Sequence, residues 1–173
     1  MKIFNSINIP KNYKVSALAI GNFDGIHRGH QKVFGETRKF AKRKKIKFGV
    51  LTFTPLPIMF FYKKIKNFRL TSEDQKIKLF KKHQVDFVIN IKFNKNFSKI
   101  SAEDFIKKII YKKMNPQLLS VSNNFRFGRK RKGDVNLLKK FSNKYAYRLL
   151  NITPLKYSGK MVSSTRIRKC LKN

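Results

Sequence analysis

The sequence predicts an α/β domain: a mainly parallel five-stranded sheet with helices on both faces. Three observations predict it. Short apolar runs of strand length alternate with segments of helical spacing along all 173 residues. Glycine, proline or helix-cap signals separate the two kinds of segment. The helical segments are long enough to serve as right-handed crossovers, which parallel neighbours require. No internal repeat or low-complexity linker interrupts the alternation, so a single domain over residues 1–173 is expected.

The elements follow in order. Val15–Ile20 reads as a short buried strand, and the turn GNFDGIHRGHQ, Gly21 to Gln31, follows it directly. From His30, the residues Val33, Phe34, Thr37, Phe40 and Ala41 fall at helical spacing. Phe48–Phe53 is a second strand, ended by Pro55 and Pro57. Thr71, with Asp74 three residues on, opens a helix carrying Ile77 and Phe80. Phe87–Phe93 is a third strand. Ser101 and Asp104 repeat the cap signal before Phe105, Ile106, Ile109 and Ile110. Gln117–Val121 is a fourth strand, Val135–Tyr145 a helix, and Tyr147–Ile152 a fifth strand. SSTRIRKCL, Ser163 to Leu171, closes the pattern as a capped helix.

Composition narrows the function classes. A 41% apolar fraction at this length supports a globular core. No apolar run approaches the roughly 20 residues a membrane span needs, so no membrane partner is expected. The N-terminus lacks a signal peptide's apolar stretch, and Cys170 is alone, so the expected setting is the reducing cytoplasm. Lys and Arg number 42 against 8 Asp and Glu, a formal net charge of +34. Such a surplus favours polyanions. It is spread along the chain, however, and its densest cluster, Lys39–Lys47, reads as a solvated helix end. At most, non-specific nucleic-acid binding through surplus Lys is expected.

In open parallel sheets, ligands bind beyond the carboxyl ends of the strands. The segments there are NFDGIHRGH, TPLP, SNNFRFGRKRKGD and SSTRIR. In the first, Gly21 and Gly25 permit a sharp turn or a close backbone approach, and Gly29 lets a helix begin against the strand. A helix N-terminus offers free N–H groups and a positive dipole end, which suit phosphate. His27 and His30, three residues apart across that start, can share one anion pocket. No third ligand accompanies them, so no protein-held metal is expected.

HRGH resembles the HxGH signature of the nucleotidyltransferase superfamily. The longer GNFDGIHRGHQ is similar to the bacterial FAD synthetases, which are bifunctional riboflavin kinase/FMN adenylyltransferases. So are RLTSEDQKIKLFKKHQVDFVINIKF, the F-x3-F-x2-ISAEDFI run, NFRFGRKRKGD and VSSTRIR, in the family's order. The resemblance implies a Rossmann-like fold and transfer of AMP from ATP to FMN, giving FAD and pyrophosphate. It implies that His27, His30 and Arg166 act on the phosphates. Gly21, Asn22, Phe23, Asp24 and Gly29, with Ser163, Ser164 and Thr165, would bind ATP. Phe53, Pro55, Asn124, Phe125, Phe127 and Gly128 would lie near the flavin; Phe125 and Phe127 read equally well as core. An FMN phosphate is already an anionic nucleophile, so positioning and charge neutralisation suffice, with Mg²⁺ arriving on ATP.

Two departures bear on the flavin side. Thr54 and Leu56 stand where the family's F-x-P-x-P segment commonly has an acidic residue and a histidine, and Ser122 stands where glycine is usual. Leu56 and Ser122 keep open a rival reading: the same superfamily acting on another phosphorylated acceptor. A degenerate basic domain that binds nucleic acid is the third. The family's usual chains continue into a β-rich kinase domain. Here two residues follow Leu171, so riboflavin phosphorylation is not expected.

Overall fold

The computed structural model describes residues 1–62 and 68–171. Its sheet is built from β1 (Lys2–Phe4), β2 (Ala17–Ile20), β3 (Phe48–Thr54), β4 (Phe87–Lys92), β5 (Leu118–Ser122) and β6 (Arg148–Ile152). The strand order is β1-β4-β3-β2-β5-β6, and every neighbouring pair is parallel. The sheet therefore has six strands, not the five expected. The added strand, β1, has three residues at the outer edge with little burial, too few to show a strand period in the sequence.

The strands alternate their side chains between two cores. Ala17, Ala19, Val50 and Val88 face one side, against α1 (Arg28–Lys44) and α3 (Glu73–Lys82), with Phe34, Phe48 and Phe80 filling it. Leu18, Ile20, Leu51 and Ile89 face the other. There α5 (Ala102–Asp104) runs into a π-helical stretch, Phe105–Met114, that buries Phe105, Ile106, Ile109, Ile110 and Met114. The four- and five-residue spacing of those apolar positions suits i→i+5 turns, where the same pattern had suggested an ordinary helix. The helix α6 (Val135–Ser142) completes that face with Val135 and Leu138. It ends three residues before Tyr145, where the expected helix ended.

Helix starts are set by side chains. The cap of α3 is Ser72, whose Oγ accepts the Gln75 N–H at 3.2 Å while the Gln75 side chain accepts the Ser72 N–H at 2.9 Å. This capping box lies one residue beyond the Thr71–Asp74 pair expected to form it. Thr71 instead accepts the Gly25 N–H through Oγ1. The short helices α2 (Pro57–Phe61) and α4 (Lys95–Ser98) follow β3 and β4. A small antiparallel hairpin, β7 (Lys156–Tyr157) with β8 (Lys160–Met161), precedes α7 (Ser164–Cys170). The basic cluster around Lys42–Lys45 is exposed at the C-terminal end of α1, where cations complement the helix dipole. No helix among the described residues is long and apolar enough to cross a membrane.

Candidate active site

The turn after β2 is held in an unusual backbone path. Phe23 and Ile26 both take positive φ, 48° and 34°, and both side chains are buried. Bulky residues tolerate this only where the surroundings impose it. The surroundings are specific. The Asn22 carbonyl accepts the Thr52 hydroxyl at 3.1 Å. The Phe23 ring packs on Phe34 at 4.8 Å and edge-on against His30 at 5.3 Å. The buried Asp24 carboxylate accepts the Leu70 N–H at 3.0 Å, the Thr71 N–H at 3.3 Å and the Arg168 guanidinium.

His27 is the N-cap of α1: its Nδ1 accepts the His30 N–H at 3.4 Å. With Nδ1 accepting, a neutral His27 carries its proton on Nε2. The two imidazoles stack with centroids 3.7 Å apart. Gly29 makes the arrangement possible, since a Cβ there would lie 3.1 Å from the His27 ring. Burial lowers the His27 pKa, opposed by its own backbone hydrogen bond and by Asp24. His30 is pushed down to about 3, first by burial and then by His27 and Lys76. Both rings are therefore neutral N–H donors at neutral pH.

A cavity of about 1070 Å³ opens over these rings at the carboxyl ends of the central strands. Gly21, Asn22, Phe23 and Asp24 line one end with His27, Gly29 and His30. Ser163, Ser164 and Thr165, at the start of α7, close over them. Ser164 Oγ donates to the Asp24 carbonyl at 2.8 Å, which ties the turn after β2 to the start of α7. Part of the lining is aromatic: Phe53, Phe125 and Phe127 line the cavity with Asn124 and Gly128. Phe125 and Phe127 stack at 5.4 Å; Phe127 is buried and Phe125 half-buried. Gly128 holds φ +71°, and a Cβ there would strike the Ala102 backbone at 2.6 Å, so the loop is wedged onto the start of α5. Of the departing residues, Leu56 and Ser122 line the cavity as well. Arg126, Arg129, Lys130 and Arg131 rim it, and among the described residues Asp24 is the one acid in its lining. The field inside favours anions.

Two expected residues stand apart. Pro55 does not line the cavity, although its neighbours Leu56 and Pro57 do. Arg166 also lies outside the lining, its Nη1 donating to the Tyr157 carbonyl at 3.4 Å. The arginine of SSTRIR at the cavity is Arg168, which sequence reasoning passed over. Helical spacing was the available signal: Arg168 is four residues from Ser164 and shares its face, while Arg166 is two residues away and does not. Arg168 donates through Nε to the Phe68 carbonyl at 2.7 Å and lies over the Phe68 ring at 3.8 Å.

Residues 9–166 match the family model described as FAD synthetase. The chain belongs to the FAD synthetase family. It is 41% identical over 173 residues to a bifunctional riboflavin kinase/FMN adenylyltransferase of Buchnera aphidicola subsp. Schizaphis graminum, covering 99% of this chain and 55% of that one. The Escherichia coli K12 protein of the same description is 31% identical over 154 residues, covering 89% and 49%. The chain thus spans about half the length of the curated relatives it matches. Among solved structures, one described as a macrolide-efflux protein from Streptococcus pneumoniae superposes with a TM-score of 0.81 at 25% identity, over 98% of this chain and 55% of that one. A pantoate–β-alanine ligase from Francisella tularensis shares the fold with a TM-score of 0.60 at 15% identity, over 97% and 73%. Within this FAD synthetase fold, the paired histidines and the aromatic residues Phe53, Phe125 and Phe127 line one cavity.

Proposed function

We propose that residues 1–173 form an FMN adenylyltransferase unit. An oxygen of the FMN phosphate attacks the α-phosphorus of ATP, the bridging α–β P–O bond breaks, and pyrophosphate leaves as FAD forms. The observation that carries this reading is the cavity's mixed lining: stacked neutral histidines at a helix N-terminus share it with an aromatic, cation-rimmed wall. Its volume of about 1070 Å³ is at the top of the range for a single small ligand, which suits two substrates side by side.

His27 and His30 donate N–H to phosphate oxygens and stabilise the charge that gathers on the leaving pyrophosphate. The free N–H groups at the start of α1 add to this. Ser163, Ser164 and Thr165 cover the nucleotide, and Phe125 and Phe127 flank the flavin. Arg166 joins the phosphates only by leaving the Tyr157 carbonyl. Mg²⁺ enters as part of the substrate MgATP and neutralises phosphate charge. Asp24, the acid in the lining, is already shared by two amides and Arg168, and among the described residues no group of three His, Cys, Asp or Glu gathers to hold a metal. The exposed lone Cys170 suits a reducing, cytoplasmic setting.

The test is direct: ATP, Mg²⁺ and FMN are incubated with the purified chain, and FAD and pyrophosphate are followed by chromatography. Enzyme-dependent FAD supports the reading, and none above the blank overturns it. A second reading keeps the phosphate end and changes the acceptor. It is favoured by Leu56 and Ser122 in the cavity wall, and adenylylation of another phosphorylated compound in preference to FMN would establish it.

A further inference from the structure

The cations are spread along the sequence, but the acids are not spread through the fold. Because neighbouring strands are all parallel, one edge of the sheet holds the strand starts, and Phe48, Ala17, Leu118 and Arg148 form one transverse row there. Each crossover must end at that edge, a few residues before its next strand. The segments α1, α3, the π-helical stretch and α6 all do, and each carries two or three Lys or Arg in its last turn. Among the described residues, none of these last-turn cations is paired with a carboxylate.

Of the eight acids, six lie at the opposite edge: Asp24 in the turn after β2, Glu73 and Asp74 opening α3, Glu103 and Asp104 in α5, and Asp134 capping α6. Glu36 sits midway along α1, bonded to Lys39. Among the described residues, Asp86 is the one acid at the strand starts, and its Oδ2 accepts the Phe48 N–H at 2.7 Å. A helix dipole favours cations at a C-terminus, which accounts for each group by itself. It does not account for the missing carboxylates, since like charges gathered at one end work against the compact state. A polyanion compensates them.

The same edge carries a ladder of rings. Tyr111 stacks on Tyr145 at 4.3 Å and 20°, and Tyr145 lies 5.6 Å from Phe141 at 7°. Lys144 Nζ stands 5.9 Å over Tyr145. Tyr111 lies near the end of the π-helical stretch and Tyr145 just ahead of β6, so both belong to the strand-start edge. Tyr111 is 40% exposed, and Lys112, Lys113, Lys139 and Lys140 are exposed on the same two elements, the π-helical stretch and α6. A nucleobase stacks on an exposed ring of this kind while neighbouring lysines meet the strand's phosphates. A duplex keeps its base faces inside and offers chiefly its phosphates. An anionic membrane offers charge without a flat ring to stack.

We propose that the strand-start edge binds single-stranded nucleic acid without sequence preference: bases stack on Tyr111, and phosphates meet the lysines that end the π-helical stretch and α6. The site is independent of the adenylyl-transfer reading, because it lies at the other end of the sheet from the cavity.

The experiment is fluorescence anisotropy of labelled oligo(dT), oligo(rU) and a duplex, each about 20 nucleotides long, with the intact chain and its variants. Wild type is expected to bind the single strands about tenfold or more tighter than the duplex at equal salt. Y111L should lose about tenfold on the single strands and nothing on the duplex, while Y111F keeps wild-type affinity. K112E/K140E should lose about tenfold or more and flatten the salt dependence. K95E/K160E, the same charge change at exposed positions on the cavity side, should stay within about threefold of wild type. Circular dichroism should be unchanged in every variant.

Equal affinity of wild type for single strands and duplex would overturn the proposal. So would full single-strand binding by Y111L, or equal losses in the two charge-reversal pairs. Wild type that binds phosphatidylserine vesicles but neither oligonucleotide would make this edge a membrane surface and overturn it as well. The tighter of oligo(dT) and oligo(rU) identifies the strand as DNA or RNA. Should Y111L fail to fold, the comparison of K112E/K140E with K95E/K160E still decides.

Discussion

The imidazoles of His27 and His30 lie face to face, 3.7 Å between centroids and 19° apart in plane. Two imidazolium rings would repel at that distance, so the stack favours both rings being neutral. His27→Ala and His30→Ala are each expected to cut adenylyl transfer by on the order of 10²–10³, the usual loss for one donor to a developing charge. Circular dichroism should show both variants folded. Because His27 also caps α1, His27→Ala should lose about 1 kcal/mol of stability and His27→Asn less. Near-normal turnover in both alanine variants would remove the histidines from the chemistry.

Stability should depend on pH through the same pair. His30 titrates near about 3 in the fold against an ordinary 6.5, and His27 is lowered in the same direction. Below about 6.5 the unfolded chain binds the additional protons, so stability is complete above that pH and declines as pH falls toward 3. Urea midpoints measured from pH 8 to 4 should fall steadily in wild type and less steeply in His30→Gln. Equal slopes would contradict a neutral buried ring.

Lys76 carries the opposite end of the range. With its pKa near about 8 in the fold against 10.5 unfolded, the wild type should gain stability between pH 8 and 10.5, while K76M should not. Parallel curves for the two proteins would show the amine to be solvated.

Asp24 and Arg168 form a largely buried pair, with side-chain exposures of 4% and 16%. Removing one partner strands the other charge, which typically costs about 3–5 kcal/mol. Arg168→Ala should therefore lower the urea midpoint substantially. Arg166→Ala, whose guanidinium rests on an exposed carbonyl, should leave stability unchanged and reduce kcat by less than about tenfold, far below the histidine variants. A larger kcat loss in Arg166→Ala would mean that this side chain swings onto the phosphates.

The surplus of lysine calls for a separate measurement. Duplex DNA should bind weakly, without sequence preference, and with a steep linear loss of log affinity against log salt. Tight, sequence-selective binding at physiological salt would instead promote the nucleic-acid reading.

Most of the sheet was legible because each central strand is a short apolar run ended by a turn residue. The Gly21–Gln31 turn was legible for the same reason, lying where a strand signal meets a helix signal. The edge strand β1 was not, since three residues, of which only Phe4 is partly buried, are too short a run to show a strand period. The Phe105–Met114 stretch was read as an ordinary helix because its buried positions satisfy both i+4 and i+5 spacing. Ser72 displaced Thr71 as the cap because Thr71 was drawn to the Gly25 amide, a contact 46 residues away that no local pattern reveals. Lys76 was invisible for a related cause. It stands among other lysines on a polar-looking helix, and only tertiary packing separates the buried one from the solvated ones.

The bonds of Asp24 have a consequence in time. They join the first third of the chain to Leu70 and Thr71 in the middle and to Arg168 near residue 171, where the described chain ends. Synthesis proceeds from the N-terminus, so α1 and both histidines emerge well before the arginine that closes over their turn. A partly made chain thus has the donors without the enclosure. The buried carboxylate of the turn therefore meets its guanidinium only after the Asn124–Gly128 loop has been made.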